Sequence, residues 1–228
     1  MTIQLDLEKK IYKLVSEFLK EPYKFFTEAD AVVRFHQILD KNSTLNRKAE
    51  TTDGDKVSLF HREYPTFFRF SDSNPTKKLG PPASRGHYDT VILNSDFVKV
   101  HSSATVANRQ IDLPRDKSIT PFNAVIEFKF HDYGWSSNRA ESVICELGKL
   151  RLSKKESPLR YLIVLTRYRS PVMNRWNKYW PIVKKEADKH KDINSVFAVN
   201  WLEIKRKPEI YVFGNWKNKE LKKIGTVR

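Results

Sequence analysis

Ile3, Leu7, Ile11, Leu14, Val15 and Phe18 recur at the spacing of one helix face, with Lys and Glu filling the gaps, so residues 3–20 predict an amphipathic helix. Pro22 ends it. A second helix is expected from about Thr27, which reads as an N-cap with Asp30 three residues on. Ala31, Val32, Phe35, Ile38 and Leu39 give that helix its apolar face. Residues 42–56 are polar and contain Asp53-Gly54, so they read as loop or turn.

The period then shortens. Residues 57–70 (VSLFHREYPTFFRF) are rich in strand formers but broken by Pro65, which predicts a bent strand or a hairpin. Residues 71–86 form a loop by composition, and YDTVIL (88–93) reads as a short strand. Residues 94–122 read as an excursion holding one extra strand around Phe97–Val100. NAVIEFKF (123–130) alternates with a period of two and predicts a strong strand. Residues 134–157 predict an amphipathic helix capped near Ser137 or Asn138, with Val143, Ile144, Leu147 and Leu150 as its apolar face. RYLIVLTRY (160–168) is a continuous apolar run of the kind found at a sheet centre. A helix over about 174–190 and two strands, SVFAVNWLEI and EIYVFGNW, complete the pattern. The basic turn Lys205-Arg206-Lys207-Pro208 joins those strands. This order predicts an α/β fold with a mixed central sheet flanked by helices. With no repeat, low-complexity tract or separating linker, residues 1–228 read as one domain.

Composition bounds the class. Of 228 residues, 39% are apolar and 30% charged, which fits an ordinary globular chain. No apolar run reaches the roughly 18 residues that a membrane helix needs. The N-terminus interleaves charges with its apolar positions, unlike a signal peptide. The single Cys145 excludes an intramolecular disulfide and a multi-cysteine zinc site. A cytoplasmic protein without a membrane partner is the expectation. Charge changes the picture further: Lys and Arg outnumber Asp and Glu by 42 to 27, a net +15 spread along the chain. Either the surface is simply lysine-rich, or it serves a polyanion, of which nucleic acid is the commonest inside cells.

Candidate chemistry centres on NAVIEFKF. Alternation puts Val125, Glu127 and Lys129 on one side of the strand and Ile126, Phe128 and Phe130 on the other. A lone Glu-x-Lys is most simply a charge pair on a solvated face. The acid that opens YDTVIL alters that reading, because a carboxylate leading an apolar strand must be paired or hold a metal. On neighbouring strands about 4.8 Å apart, Asp89 and Glu127 could share one cation, and a hard ion such as Mg²⁺ fits two carboxylates completed by water and phosphate. The six histidines show no metal-ligand spacing such as His-x-x-x-His, and His87 is noted only for its nearness to Asp89. Trp135, Trp176, Trp180, Trp201 and Trp216 read mainly as packing residues, with base stacking the alternative.

The succession of an acid-bearing helix, REYP, HYDTVIL, AVIEFKF, an amphipathic helix and YLIVLT resembles the PD-(D/E)xK, or restriction-endonuclease-like, nuclease superfamily over about residues 27–168. The resemblance implies an αβββαβ core preceded by an N-terminal helix and followed by a helix–hairpin extension over about 169–228. It implies a metal-dependent nuclease that hydrolyses phosphodiester bonds of DNA, ahead of RNA, with Mg²⁺ or Mn²⁺. An endonuclease acting in restriction, defence or repair, with a homodimer possible, is the family expectation. Asp89 and Glu127 would bind the metal. Lys129 would orient or deprotonate the attacking water, or stabilise the phosphorane, and Glu28 would add a further acid from the first core helix. Glu63 is a weaker candidate for such a role. Glu146, Lys149 and Arg151 fall on the helix that family members bring to the substrate strand, and Lys205, Arg206 and Lys207 are further candidate nucleic-acid contacts. The chain departs from the family pattern in lacking the proline of the motif and in placing 37 residues between Asp89 and Glu127. A non-catalytic nucleic-acid-binding module of the same fold, or a subunit dependent on a partner, is the alternative.

Overall fold

A computed structural model describes residues 2–41, 45–71, 74–79, 85–107, 119–169, 173–203 and 206–224. Helices α1 (Ile3–Lys20) and α2 (Glu28–Asp40) form where the apolar spacing predicts them. A 3₁₀ turn at Pro22–Lys24 joins them. Thr27 caps α2 through a reciprocal box: its hydroxyl accepts the Asp30 N–H, and the Asp30 carboxylate accepts the Thr27 N–H. The pair β1 (Lys48–Glu50) and β2 (Lys56–Ser58) follows within the polar stretch. Next come β3 (Phe60–Ser71), β4 (Asn74–Leu79) and β5 (Arg85–Leu93), then the short helices α3 (Ser95–Lys99) and α4 (Ser103–Val106). The remainder is β6 (Phe122–Asp132), α5 (Ser137–Leu152), β7 (Leu159–Tyr168), α6 (Asn174–Lys189), β8 (Asn194–Trp201), β9 (Glu209–Phe213) and α7 (Lys219–Ile224).

Seven strands make one mixed sheet in the order β4-β3-β5-β6-β7-β8-β9. The strands β3, β5 and β6 form an antiparallel meander, and β6-α5-β7 and β7-α6-β8 are parallel crossovers. The last strand, β9, returns antiparallel to β8. Parallel crossovers cover sheet faces with helices, so both faces of β6 and β7 are dry. One face packs Ile126, Phe128, Ile163 and Leu165 against Leu7, Ile11, Phe18 and Phe35 of α1 and α2. The other packs Val125, Leu162 and Val164 against Val143, Leu147 and Leu150 of α5 and Trp180 and Val183 of α6. Each fully buried aliphatic side chain contributes about 1.5–3 kcal/mol. No helix among the described residues is long and apolar enough to cross a membrane.

Several expectations need correction. The segment read as a loop over 71–86 carries the end of β3, the hairpin strand β4 and the start of β5, because strand pairing outweighs its polar composition. The expected extra strand around Phe97–Val100 is helix α3 instead: the Asn94 side chain accepts the Asp96 N–H, while Phe97 and Val98 enter the core. The cap of α5 is Ser136, one residue ahead of the expected position, and Ile144 is only partly buried. The β1–β2 pair and α7 had no counterpart in the pattern. Residues 169–224 do not stand apart from the core, since β8 and β9 extend the same sheet.

Candidate active site at a fork in the sheet

Strands β5 and β6 pair over four rungs, from Leu93↔Phe122 to Thr90↔Ile126. Past Thr90, β5 stays beside β3 through Tyr88, His87 and Arg85, while β6 runs on beside β7 to Asp132. The sheet therefore forks. Asp89 and Glu127 are the first residues beyond the last rung, one on each branch. The Asp89 carboxylate accepts the Phe128 backbone N–H at 2.6 Å, a charge-assisted bond that ties the branches together at the crotch.

Two lysines close the fork. Lys149 Nζ, reaching in from α5, lies 2.8 Å from Glu127 Oε1 and 2.7 Å from Glu146 Oε2, and donates to the His87 carbonyl at 3.0 Å on the opposite branch. Lys129 Nζ lies 3.1 Å from Glu146 Oε1 and 3.3 Å from Glu28 Oε1, joining α5 to the first turn of α2. Carboxylates and ammonium groups thus alternate as Glu28, Lys129, Glu146, Lys149, Glu127. Asp89 completes the set.

Burial dominates the electrostatics. Glu127 is fully buried, and desolvation pushes its pKa well up; Lys149 opposes that, while Glu146 and Asp89 reinforce it. Desolvation likewise raises Glu28, with Lys129 opposing. Burial works against the charge of both lysines, yet the surrounding carboxylates outweigh it and hold each above the ordinary lysine range. Burial also pushes Glu146 up, but Lys149 and Lys129 bring it below its usual value. With every group ionised, four carboxylates face two ammonium groups, and two negative charges remain.

The network opens on a hollow of about 630 Å³ lined by Glu28, Ala29, Val32, Arg62, Glu63 and Asp89. Glu63 holds a left-handed backbone, φ 49°, between the rungs Arg62↔Thr90 and Tyr64↔Tyr88 that flank Asp89. For a residue other than glycine this costs about 1 kcal/mol or more, and such strain gathers where a side chain must be aimed. Arg62 adds a cation at the rim.

Among the described residues, no three His, Cys, Asp or Glu side chains gather in a metal-holding group, because the two ammonium groups separate the carboxylates. A divalent ion fits by charge and donor chemistry all the same. Asp89 and Glu127 offer hard oxygen donors at adjacent places on the two branches, Glu127 Oε2 is buried without a hydrogen-bond partner among the described residues, and Mg²⁺ commonly takes only one or two protein carboxylates.

Of the residues expected from sequence, Asp89, Glu127, Lys129 and Glu28 come together, and Glu63 lines the hollow beside Glu28 and Asp89. His87 supplies its carbonyl, while its side chain is exposed. Lys149 is drawn into the network instead of facing solvent, and Arg151 is exposed in the last turn of α5. Arg206 and Lys207 are exposed near the far edge of the sheet, where Arg206 pairs with Glu209 at 2.7 Å and stacks on Trp201. Lys205 lies outside the described residues. All five tryptophans are buried; Trp135, Trp176, Trp180 and Trp201 share one aromatic cluster, and Trp216 packs on Tyr161. Arg62 was missed by sequence reading, its only signal being its place beside Glu63 in HREYP. Set against protein families, curated proteins and solved structures, the chain has no significant match.

Proposed function

We propose that the protein is a divalent-metal-dependent nuclease that hydrolyses phosphodiester bonds of DNA at the fork. The observation that carries the reading is the convergence of Asp89, Glu127 and Lys129 where β5 and β6 separate. The order α2, β3, β5, β6, α5, β7, with its meander and parallel crossover, supports a restriction-endonuclease-like core.

Asp89 and Glu127 would hold Mg²⁺ or Mn²⁺, which when bound polarises a phosphoryl oxygen and favours hydroxide at neutral pH. Lys129 acts as a fixed cation: its raised pKa suits it to stabilise charge on the phosphoryl oxygens and not to accept a proton. Glu28, raised by burial and lining the hollow, is the carboxylate suited to take the proton of the attacking water. Arg62 at the rim and the overall charge of +15 draw the polyanion in.

The test is plasmid cleavage with Mg²⁺ or Mn²⁺, beside an EDTA control and the variants Asp89→Ala and Lys129→Ala. Wild type should nick or linearise the plasmid, and each variant should lose about 10²–10³-fold in rate. Equal cleavage by all three proteins would sink the active-site assignment. One observation favours a second reading, a binding module without catalysis: an ammonium group, Lys149 Nζ, already neutralises Glu127 at 2.8 Å. That reading expects salt-sensitive DNA binding and no cleavage with either metal.

A further inference from the structure

Along β7, the side chains that face α1 and α2 are apolar through Leu165, and then Arg167 takes the next place in the row, opposite Asp132 of β6. Arg167 is 1% exposed. Its guanidinium carbon lies 5.6, 5.1 and 5.1 Å from the ring centres of Tyr23, Phe26 and Phe130. Nη2 is 3.1 Å from Asp132 Oδ2, whereas Nε and Nη1 have no hydrogen-bond partner among the described residues. Arg169 repeats the arrangement: Nε lies 3.0 Å from Asp132 Oδ1, with Tyr23 and Tyr133 at 5.5 and 5.2 Å. Buried donors left unmet are costly, and ring contacts alone do not satisfy them.

The outer rings of this group face solvent. Tyr23, Phe26 and Tyr133 are 56, 63 and 60% exposed, and they make up half of the six large exposed hydrophobics among the described residues. Core packing does not account for three outward rings gathered on two arginines. Arg139 feels the charge of Asp132, as Asp30 feels that of Arg167, so Arg139, Arg167 and Arg169 outnumber Asp132 and Asp30. A patch that pairs excess positive charge with flat apolar faces suits a ligand alternating anionic groups with planar rings.

We propose that Tyr23, Phe26 and Tyr133 bind unpaired nucleotides of a DNA strand, with bases on the rings and phosphates at Arg169, while the buried Arg167 holds the rings in place from behind. This inference rests on the nuclease reading of the fork and specifies the form of substrate delivered to it. Platform and fork are close along the chain: Phe26 is two residues before Glu28, and Tyr133 directly follows the last residue of β6, four residues beyond Lys129.

Binding is measured by fluorescence anisotropy in EDTA, where nothing is cut, using a labelled oligothymidylate, an abasic strand with the same number of phosphates, and a duplex. Wild type should hold the oligothymidylate about tenfold or more tighter than the abasic strand. Phe26→Ala and Tyr133→Ala should each lose most of that advantage without weakening duplex binding, while Phe26→Tyr and Tyr133→Phe keep it. Equal affinity for thymidylate and abasic strands, or alanine variants that bind as wild type does, would overturn the platform. Plasmid cleavage with Mn²⁺, run in parallel, separates the two claims. Ring-dependent binding without cleavage counts against the nuclease alone, and cleavage without ring-dependent binding counts against the platform alone.

Discussion

Replacing Lys149 with Met keeps the aliphatic stem and removes the ammonium that serves Glu127, Glu146 and the His87 carbonyl. Glu127 is fully buried, so the variant leaves a carboxylate with no counter-charge in a dry site. Breaking a buried pair this way costs about 3–5 kcal/mol. For a chain of this size that corresponds to a fall in Tm of about 6–20 °C. Proton uptake by Glu127 limits the loss, and this gives the prediction its pH signature. The folded pKa of Glu127 is already raised, so the stability tied to its protonated form is fully present below its ordinary value of 4.5 and is lost as pH rises through the folded value. The deficit of Lys149→Met should therefore be largest at the alkaline end of the range and shrink on acidification, by up to about 1.4 kcal/mol per pH unit while Glu127 takes up its proton. A divalent ion should replace the missing charge: Mg²⁺ at 100 times its Kd would return about 2.7 kcal/mol. Thermal unfolding across pH 5–8, with and without Mg²⁺, measures all three quantities. A loss below about 1 kcal/mol at pH 7, or a deficit that does not change with pH, would refute the charge accounting of the fork.

Four further outcomes are expected. His131 is buried against Trp135, neither ring nitrogen has a partner among the described residues, and burial holds its pKa down at about 3, with Arg139 and Lys129 adding to the effect. Stability tied to its neutral form is present above the unfolded value of about 6.5 and is lost as pH falls towards 3, so His131→Phe should show a flatter acid limb in urea titrations and equal or higher stability at pH 7. The buried Glu8 carboxylate accepts the backbone N–H groups of Lys217 and Asn218, both at 2.6 Å, so Glu8→Ala should cost about 3 kcal/mol in chemical denaturation and hasten proteolysis near residue 217. Gly214 has φ 95°, and a Cβ there would collide with the Ile193 carbonyl and Asn194, so Gly214→Ala should lower stability by about 2 kcal/mol or more in the same assay. Duplex binding should weaken by about 10³–10⁵-fold between 50 and 200 mM salt if some six to ten phosphates are contacted, and salt-independent binding would count against a nucleic-acid partner.

Much of the frame was legible because it rests on strong periodicity. The faces of α1 and α2, the alternation in β6 and the apolar run of β7 all appear where the spacing puts them. The 37-residue gap between Asp89 and Glu127 looked like a departure, yet pairing of Thr90 with Ile126 sets the two acids side by side whatever the connection's length. What was hidden depends on tertiary covering. Alternation could not tell that the Glu127 face of β6 would be roofed by α5, turning an ordinary Glu-x-Lys into a buried network. Lys149 read as a candidate substrate contact alongside Arg151 because nothing local marks the cavity it fills; only its spacing from Glu146 hinted at a pair. The hairpin strand β4 is held by backbone bonds to β3 and carries no apolar signal. Arg167 was masked by the apolar run that ends in it.

The four rungs between Thr90 and Leu93 are also the neck of the sheet. On one side stands the β4-β3-β5 arm and on the other the β6-to-β9 block, and past the neck Asp89 bridges to the Phe128 N–H, Lys149 to the His87 carbonyl, and the Tyr88 hydroxyl to Glu156. A cation shared by Asp89 and Glu127 would act as a rivet at that neck. Its loading would then be felt far from the hollow, as slower amide exchange along β3 and β5, and the arm's stiffness would become a gauge of whether the site is filled.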